Sequence, residues 1–400
     1  MTEMELQKEI YLDYAAATPL SSKAFEAMQP FFSEKFYNPS APYLPAKRIR
    51  EEYEVKKAEL ANSIGAKSTD LIITAGATES ISLAFTALNN FKESHCLILQ
   101  TEHAAVRESA KHFSDGNFDE IQVDSAGLID LLDFKRKIRE DTVLVSVALA
   151  NNELGTIQPL AEVSRIIQSI REERLKSRNL TPLYLHSDAS QAMNLLDLSV
   201  ARLGVDLLTI NAAKVYGPKG IGALYVARGI KLTPLTFGGG QEMGLRSGTE
   251  NVPLLIGFAT AVTLSKKHLS SNRKKYQTLA GIFRQTVEKL SIIHPLWLGD
   301  PKHQLANFIP VCFDGLDAER LIYKLEDIGI YLSTGAACAA SKGQKSHVLS
   351  AIGLSDAEIT GSLRISLGKD NQKEDIYLAA KIISEVVNQE AKRIHNLNGS

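Results

Sequence analysis

Short apolar strand patterns alternate with helical patterns through the first half of the chain, and this alternation constrains the fold more than any other feature. The strand patterns occur at Leu71–Thr74, Cys96–Gln100, Ile121–Val123, Thr142–Ala148 and Leu183–Ser187. The helical patterns lie between them, at about Thr78–Asn89, Ala104–His112, Asp130–Arg139 and Leu160–Arg178. Strands separated by helices join parallel sheets, because each helical crossover returns the chain to the same edge. We therefore predict an α/β domain with a mainly parallel sheet wrapped by helices.

The order of elements changes near Val252, where a long helical pattern begins and runs to about Leu290 with a break near residues 270–272. Strands and helices follow in a less regular order, at Asn307–Phe313, Ala318–Ile328, Ile330–Ser333, Leu363–Leu367 and Asp375–Ile394. This pattern favours a second, smaller α+β domain. We predict a large domain over residues 13–251 and a small C-terminal domain over 252–400, with residues 1–12 associated with the small domain.

Charge and hydropathy exclude several classes of protein. Lys and Arg number 45 and Asp and Glu 46, so the charge balance gives no reason to expect a nucleic-acid or membrane partner. The first residues are acidic and polar, unlike a signal peptide, and no stretch is long and apolar enough to span a bilayer. The chain has three cysteines, which form no metal-type pair and no disulfide framework. These features favour the cytosol.

The three cysteines differ in their surroundings. Cys96 and Cys312 lie in apolar strand patterns and are expected to be buried. Cys338 is flanked by small and flexible residues, in the sequence Thr-Gly-Ala-Ala-Cys-Ala-Ala-Ser-Lys-Gly over 334–343. Such a composition offers little to pack and predicts a mobile loop that presents a thiol.

Lys214 stands between two apolar runs, just before a turn that contains Gly217, Pro218, Gly220 and Gly222. A lysine at a buried strand end is unusual, because an ammonium is costly to bury unless it is paired or neutralised. Such a lysine is often a chemical one, with a lowered pKa or a Schiff base. The alternative is a solvated lysine at a hairpin corner, and the local sequence leaves both interpretations open.

Polar residues follow the predicted strands at the positions where ligands bind in α/β sheets, beyond the carboxyl ends of the strands. They are the turn Ala75-Gly76-Ala77-Thr78, then Thr101-Glu102-His103, Asn151-Asn152-Glu153 and Asp188 with Gln191. Each has an ordinary structural explanation, such as a helix cap for Asp188. Together with a lysine they match the needs of pyridoxal phosphate, which requires a Schiff-base lysine, a carboxylate on the pyridine nitrogen and an anion site for the phosphate. Lys214, Asp188 and the 75–78 turn supply one of each, His103 is placed to stack on the ring, and Gln191 and Asn152 are placed to bond the ring oxygen.

The same motifs, in this order, resemble those of the cysteine desulfurases of the iron-sulfur-assembly type (group I), within the class V aminotransferase fold. The resemblance rests on segments spread over nearly the whole chain, which are Ile10–Asp13, Ala75–Ser80, Thr101–His103, Asn151–Gly155, Lys214–Gly220, Arg246–Thr249, Ser333–Cys338 and Leu363–Gly368. It implies a fold-type-I domain that binds pyridoxal 5'-phosphate, and a homodimer. The implied reaction converts L-cysteine to L-alanine.

The resemblance also implies roles for individual residues. Lys214 would hold the cofactor and move the Cα proton, His103 would stack on the ring and take part in catalysis, and Asp188 would pair with the pyridine nitrogen. Gln191 and Asn152 would contact the ring oxygen or substrate, Ala77 and Thr78 would bind the phosphate, and Thr249 would reach the phosphate of the neighbouring protomer. Arg364 would bind the substrate carboxylate, a task suited to a guanidinium.

Cys338 would attack the sulfur of the bound substrate and keep it as a persulfide, in agreement with the predicted mobile loop. The sulfur would then pass to an acceptor protein, either an iron-sulfur scaffold or a tRNA thiolation protein. We expect neither direct nucleic-acid binding nor membrane binding, and no metal.

Two residues beside the lysine depart from the family pattern. Asn211 stands where a serine is usual, and Ala213 where a histidine is usual. Asn211 can still donate to a phosphate, whereas Ala213 cannot. Two alternative functions stay open: a selenocysteine lyase or another class V lyase or aminotransferase, and a pyridoxal-phosphate-binding scaffold with little turnover.

Overall fold

The computed structural model describes residues 9–334 and 345–398. Its strands are β1 Ile10–Tyr11, β2 Leu71–Thr74, β3 His95–Leu99, β4 Phe118–Ile121, β5 Thr142–Ser146, β6 Tyr184–Asp188, β7 Leu207–Asn211, β8 Gly222–Val226, β9 Leu296–Trp297, β10 Phe308–Cys312, β11 Ile330–Tyr331, β12 Ser333–Thr334 and β13 Ser362–Ser366. Its α-helices are α1 Ser22–Met28, α2 Pro30–Ser33, α3 Leu44–Ser63, α4 Ala77–Phe85, α5 Ala104–Phe113, α6 Leu131–Lys137, α7 Leu160–Lys176, α8 Val200–Leu203, α9 Val252–Lys267, α10 Leu269–Leu290, α11 Ala318–Glu326, α12 His347–Ala351, α13 Asp356–Thr360 and α14 Lys373–Asn398.

A seven-stranded sheet has the order β2-β8-β7-β6-β5-β3-β4, and the prediction of an α/β fold with a mainly parallel sheet is confirmed. Strands β4, β3, β5, β6 and β7 pair in parallel. Strand β8 is antiparallel to both β7 and β2, so β2 runs in the same direction as β7. The carboxyl ends of six strands therefore lie along one edge of the sheet.

The sheet is apolar on both faces because helices cover both. In β3 successive residues point to opposite faces: Leu97 and Leu99 belong to one core, and Cys96 and Ile98 to the other. The second core also contains residues of α4 and α5, whereas the first contains residues of α3 and α9. Cys96 and Cys312 are fully buried, as predicted, and burial raises the pKa of their thiols to about 12 and about 11.

A second sheet, with the order β12-β13-β10-β9, follows the long helices α9 and α10. Strand β1 pairs in parallel with β11, so the N-terminal strand contacts the C-terminal part of the chain. The division into domains at residues 251 and 252, with residues 1–12 associated with the small domain, stays a prediction.

Two sequence predictions were wrong in detail. The break in the long helical pattern lies at His268 and not at residues 270–272. The strand predicted at Ile121–Val123 begins earlier, at Phe118, and ends at Ile121, because Val123 pairs instead with Ile129 across a turn. Within residues 9–334 and 345–398, no helix combines the length and apolarity needed to cross a membrane.

Candidate active site

The sheet brings the predicted polar residues to one edge. The 75–78 turn follows β2, His103 lies beyond β3, Asp188 is the last residue of β6, and Asn211 is the last residue of β7. Lys214 ends the short 3₁₀ turn that follows β7. The parallel direction of these strands is the physical reason for the assembly, since it places all their carboxyl ends together.

Lys214 is partly buried, and its Nζ atom donates to two backbone carbonyls, those of Ala15 at 2.8 Å and Ala16 at 2.5 Å. These carbonyls come from the N-terminal segment, which we define as residues 13–18. The lysine is therefore held inside a polar environment at the sheet edge. This placement favours the chemical lysine over the solvated hairpin corner.

The N-terminal segment joins most parts of the site, and sequence reasoning missed it. The carbonyl of Ala15 also accepts from Gln191 Nε2 at 2.9 Å. The Thr18 hydroxyl donates to the carbonyl of Ala213 at 3.0 Å and accepts the backbone N–H of Tyr216 at 2.8 Å. The contacts with Lys214 and Gln191 use main-chain carbonyls of the segment, which have no side-chain pattern that the sequence could reveal.

The 75–78 turn has the backbone of an anion site. Gly76 adopts φ 155° and ψ −179°, a conformation essentially restricted to glycine. A Cβ added to Gly222 would lie 2.8 Å from the carbonyl carbon of Gly76, so glycine is needed where β8 passes the turn. Ala77 and Thr78 open helix α4, and Thr78 is exposed. Free N–H groups and the helix dipole favour a bound anion here.

Asp188 and Asn211 are both partly buried at their strand ends. Asp188 Oδ1 accepts the backbone N–H of Ser190 at 2.9 Å, and Asn211 Oδ1 accepts that of Ala213 at 3.0 Å. Asn211 therefore closes the turn that leads to Lys214. Its Nδ2 amide donates to no other described residue, so it can donate to a ligand.

His103 caps helix α5, because its Nδ1 accepts the backbone N–H of Ala105 at 3.1 Å. The residue is exposed. Because Nδ1 accepts this hydrogen bond, it carries no proton, and the proton of the neutral ring is on Nε2. The position of His103 beyond β3 agrees with the predicted stacking role.

Arg364, on β13, is 5 % exposed and is already paired. Its Nη2 donates to Asp13 Oδ1 at 2.7 Å, and its Nη1 donates to the carbonyl of Asn152 at 3.0 Å. Its Nε is buried and has no partner among the described residues. The structure thus brings Arg364 and the main chain of Asn152 together, while the Asn152 side chain is only partly buried.

A buried polar chain lies behind the site, at Glu102, Ser146, His186 and Thr209. Glu102 Oε1 accepts from Ala148 N at 2.7 Å and from Ser146 Oγ at 3.3 Å, while His186 lies 2.9 Å from Ser146 Oγ and 3.0 Å from Thr209 Oγ1. Burial, and to a smaller extent the Asp188 carboxylate, raise the pKa of Glu102 to about 8. Burial also lowers the pKa of His186 to about 3. Both groups are therefore neutral near pH 7.

Sequence reasoning assigned no role to these four buried polar residues, although Glu102 lies in a motif that it singled out. The polar residues Ser146 and His186 sit inside apolar strand patterns, and that mismatch was the available indication. The pKa of a second buried carboxyl, Glu153, is raised to about 7 by burial, and the carboxyl accepts from Ser346 Oγ at 2.6 Å.

One predicted residue, Thr249, is not brought into the assembly. Thr249 is exposed, and the segment that carries it contacts helix α4 through Arg246, whose Nε donates to Glu79 Oε1 at 3.2 Å. Cys338 lies outside the described residues.

The donor set fits pyridoxal phosphate. It contains an amine on Lys214, a carboxylate on Asp188 and an anion site in the 75–78 turn. A side chain at position 222 would displace the backbone of that turn. The three lie at one sheet edge, as binding of a single molecule requires.

Comparisons with known proteins agree with this geometry. The model of the class-V aminotransferase family matches residues 10–378. Cysteine desulfurase IscS of Dictyoglomus turgidum is 37% identical over 388 residues, covering 96% of this chain and 95% of that protein. Cysteine desulfurase IscS 1 of Archaeoglobus fulgidus is 37% identical over 382 residues, covering 94% and 96%.

Solved structures give the same result. A NifS-like protein superposes with a TM-score of 0.87 at 30% identity, covering 96% of this chain and 100% of that one. SspA in complex with cysteine superposes with a TM-score of 0.75 at 31% identity, covering 90% and 99%. The similarity therefore extends over both sheets.

Proposed function

The chain belongs to the class V aminotransferase family and is a pyridoxal-phosphate-dependent cysteine desulfurase, and we propose which of its residues carry the reaction. The observation that supports the assignment of residues is the meeting of Lys214, Asp188 and the 75–78 turn at one sheet edge. The fold is the type-I fold of pyridoxal-phosphate enzymes.

We assign cofactor binding to residues around that edge. When pyridoxal phosphate is bound, the Lys214 amine would hold its aldehyde and Asp188 would keep a proton on the pyridine nitrogen. His103 would stack on the ring, and Gln191 and Asn152 would bond the ring oxygen. The N–H groups of Ala77 and Thr78, the Thr78 hydroxyl and the Nδ2 amide of Asn211 hold the phosphate. Asn211 thus supplies a donor in place of the usual serine, whereas Ala213 supplies none.

The cofactor withdraws electrons from the substrate's α-carbon when it is bound. Arg364 binds the substrate carboxylate and orients the amino acid. Once the substrate's amine has replaced it at the cofactor aldehyde, the Lys214 amine acts as a general base and takes the proton from the substrate's Cα. His103, which lies beyond β3 at the same sheet edge, is proposed as the second acid-base group.

Cys338 is proposed as the sulfur acceptor within the chain. Its thiolate attacks the sulfur of the bound L-cysteine, and the Cβ–S bond breaks with its electron pair going to the carbon side. Protonation of that carbon yields L-alanine, and the sulfur stays as a persulfide on Cys338. The two sulfurs are oxidised and the carbon is reduced, so no external oxidant is needed. This role rests on the sequence motif alone.

Three further features are proposals. The persulfide passes to an acceptor protein, an iron-sulfur scaffold or a tRNA thiolation protein. The chain acts as a homodimer in which Thr249 reaches the partner's phosphate. A cytoplasmic location is supported by the two described cysteines, Cys96 and Cys312, which are free and buried.

The test compares the wild type with Lys214→Ala, Cys338→Ser and Cys96→Ala, the last as a matched cysteine control. Visible absorption reports the cofactor bound at the lysine, and alanine and sulfide are measured with L-cysteine plus a reductant. We expect Cys338→Ser to keep the colour without producing sulfide, and Lys214→Ala to lose the colour. Cys96→Ala should keep both colour and sulfide production.

Undiminished sulfide production by Cys338→Ser would overturn the assignment of the acceptor cysteine. A wild type that releases alanine from selenocysteine but not from cysteine would favour the selenocysteine lyase. A coloured wild type that forms neither product would favour a scaffold.

A further inference from the structure

Arg364 forms a partly buried ion pair with Asp13, a residue to which neither the sequence motifs nor the predicted site assigns a role. The Nη2 and Oδ1 atoms are 2.7 Å apart, and the two side chains are 6 % and 17 % exposed. The pair joins strand β13 to the N-terminal segment that holds Lys214. A charge-assisted bond in such a protected position is stronger than an exposed one.

The donors of Arg364 are only partly used. A guanidinium carries five N–H donors, and Asp13 and the carbonyl of Asn152 accept one each. The Nε–H is buried and has no acceptor among the described residues. A buried donor without an acceptor costs free energy, which indicates that a ligand oxygen belongs there. A carboxylate that accepts from Nε and from a remaining Nη hydrogen has the right shape.

Asp13 is itself fixed to the same strand. It forms a parallel bridge with Ser366, two residues beyond Arg364, and Ser366 Oγ accepts the backbone N–H of Ala15 at 2.8 Å. Tyr11 donates from its hydroxyl to the carbonyl of Asp13 at 2.8 Å. The main chain at Asp13 is therefore fixed relative to the strand that carries Arg364, which places the Asp13 carboxylate within reach of the guanidinium.

The other charges near Arg364 do not bond to it. Glu153 is close enough for its pKa to be lowered by the guanidinium, but burial dominates and its carboxyl is bonded to Ser346. The pKa of the Tyr11 hydroxyl is raised, chiefly by burial and then by Asp13. Among the described residues, only Asp13 supplies a side-chain acceptor to the guanidinium.

We propose that Asp13 is a positioning residue for substrate recognition: it holds the guanidinium of Arg364 so that the Nε–H edge faces the carboxylate of the amino acid. This inference rests on the proposed function, because it takes Arg364 as the carboxylate site. This role needs an acceptor oxygen on the side chain at position 13, but it does not need the negative charge of the aspartate. An asparagine oxygen can therefore replace the aspartate, whereas alanine cannot.

The test measures binding without turnover, from the change in the absorption of the cofactor in the loaded protein. The two ligands are L-alanine and ethylamine, which differ only by the carboxylate. We expect Asp13→Ala to reduce the preference for L-alanine over ethylamine by about tenfold, the loss of one charge-assisted bond. Asp13→Asn should stay within about threefold of the wild type.

Two further variants separate positioning from general damage. Arg364→Ala should abolish the preference, and Asp13→Ala should have no additional effect in that background, because it acts through the arginine. Glu153→Gln, which changes a nearby carboxyl that does not bond to the guanidinium, should leave the preference unchanged.

An equal loss of L-alanine and ethylamine binding in Asp13→Ala would overturn the proposal, since it would show a general structural role. Equal impairment of Asp13→Asn and Asp13→Ala would also overturn it. Failure of the proposed function is distinct: a wild type with no preference for L-alanine would show that Arg364 is not the carboxylate site, whatever Asp13 does.

Discussion

Arg246 donates from Nε to Glu79 Oε1 at 3.2 Å, while Glu79 Oε2 accepts the backbone N–H of Ala75 at 2.6 Å. The pair connects the turn proposed to bind phosphate with the segment that carries Thr249. It also places the Glu79 carboxylate in the first turn of helix α4, beside the proposed position of the cofactor phosphate. The positive charge of Arg246 offsets that carboxylate.

The first prediction concerns this charge balance. Arg246→Gln should weaken binding of pyridoxal phosphate to the apo-protein by about tenfold, because Glu79 is then an unneutralised anion near the phosphate. Adding Glu79→Gln should restore most of the affinity. Titration with the cofactor measures the effect, and pyridoxal, which lacks the phosphate, is the control ligand. If the double variant binds as weakly as Arg246→Gln, charge balance is not the reason.

The sequence predicted the fold class and which strand ends carry polar side chains, because both depend on local patterns. The alternation of strands and helices predicted both end residues of β2 correctly. It also predicted that Asp188 and Lys214 lie at the sheet edge. These predictions needed only period, turn residues and the rule that parallel strands share their carboxyl ends.

The N-terminal segment could not be predicted in the same way. Its contacts with Lys214, Gln191 and Arg364 cross 176 to 351 residues of chain, and two of the three use backbone carbonyls, which have no sequence pattern. The wrong prediction that the strand extends to Val123 has a similar origin, because an apolar residue in a short hairpin resembles the end of a strand. Tertiary contacts decided both cases.

The second prediction concerns Glu102 and pH. Its pKa in the folded protein is about 8, well above the value of about 4.3 in an unfolded chain, so the folded protein binds the extra proton. The stability from this group is complete below pH 4 and is lost as pH rises through 8. Between pH 5 and 8 the loss should be on the order of 3 kcal/mol.

Glu102→Gln mimics the neutral carboxyl and should remove this part of the pH dependence. Urea denaturation of both proteins at several pH values measures it. Glu153→Gln, at a carboxyl with a pKa of about 7, should flatten the same range by a smaller amount. Parallel stability curves for Glu102→Gln and the wild type would contradict a neutral Glu102.

The third prediction concerns the approach of β8 to the 75–78 turn. In Gly222→Ala the new Cβ would lie 2.8 Å from the carbonyl carbon and 2.9 Å from the Cα of Gly76, and 2.9 Å from the carbonyl oxygen of Ile210. All three are backbone atoms, so the turn must shift. We expect a loss of about 1–3 kcal/mol in stability and weaker cofactor binding.

Gly220→Ala is a poor control because its φ of 81° is itself strained for alanine, whereas Gly281→Ala in α10 meets no atom within 4 Å. Gly281→Ala should keep the cofactor affinity of the wild type. Unchanged affinity in Gly222→Ala would show that the turn does not depend on that contact.

The last prediction concerns Glu242, which ties the segment before Arg246 to the sheet. Its side chain is 5 % exposed and accepts from Lys57 Nζ at 2.6 Å and from the backbone N–H of Ile73 at 2.9 Å. The Tyr53 hydroxyl also donates to it. Three buried donors therefore depend on one carboxylate.

Glu242→Ala should cost about 3–5 kcal/mol, because it leaves a buried ammonium and two other donors without an acceptor. Lys57→Met should cost less, about 1–3 kcal/mol, since the carboxylate keeps two donors. Lys56 lies on the same helix as Lys57, but its ion pair with Glu59 is partly exposed to solvent. Lys56→Met should therefore change stability by less than about 1 kcal/mol. Denaturation midpoints give the order of the three. Should Lys57→Met cost more than Glu242→Ala, the ammonium and not the carboxylate would be the centre of this cluster.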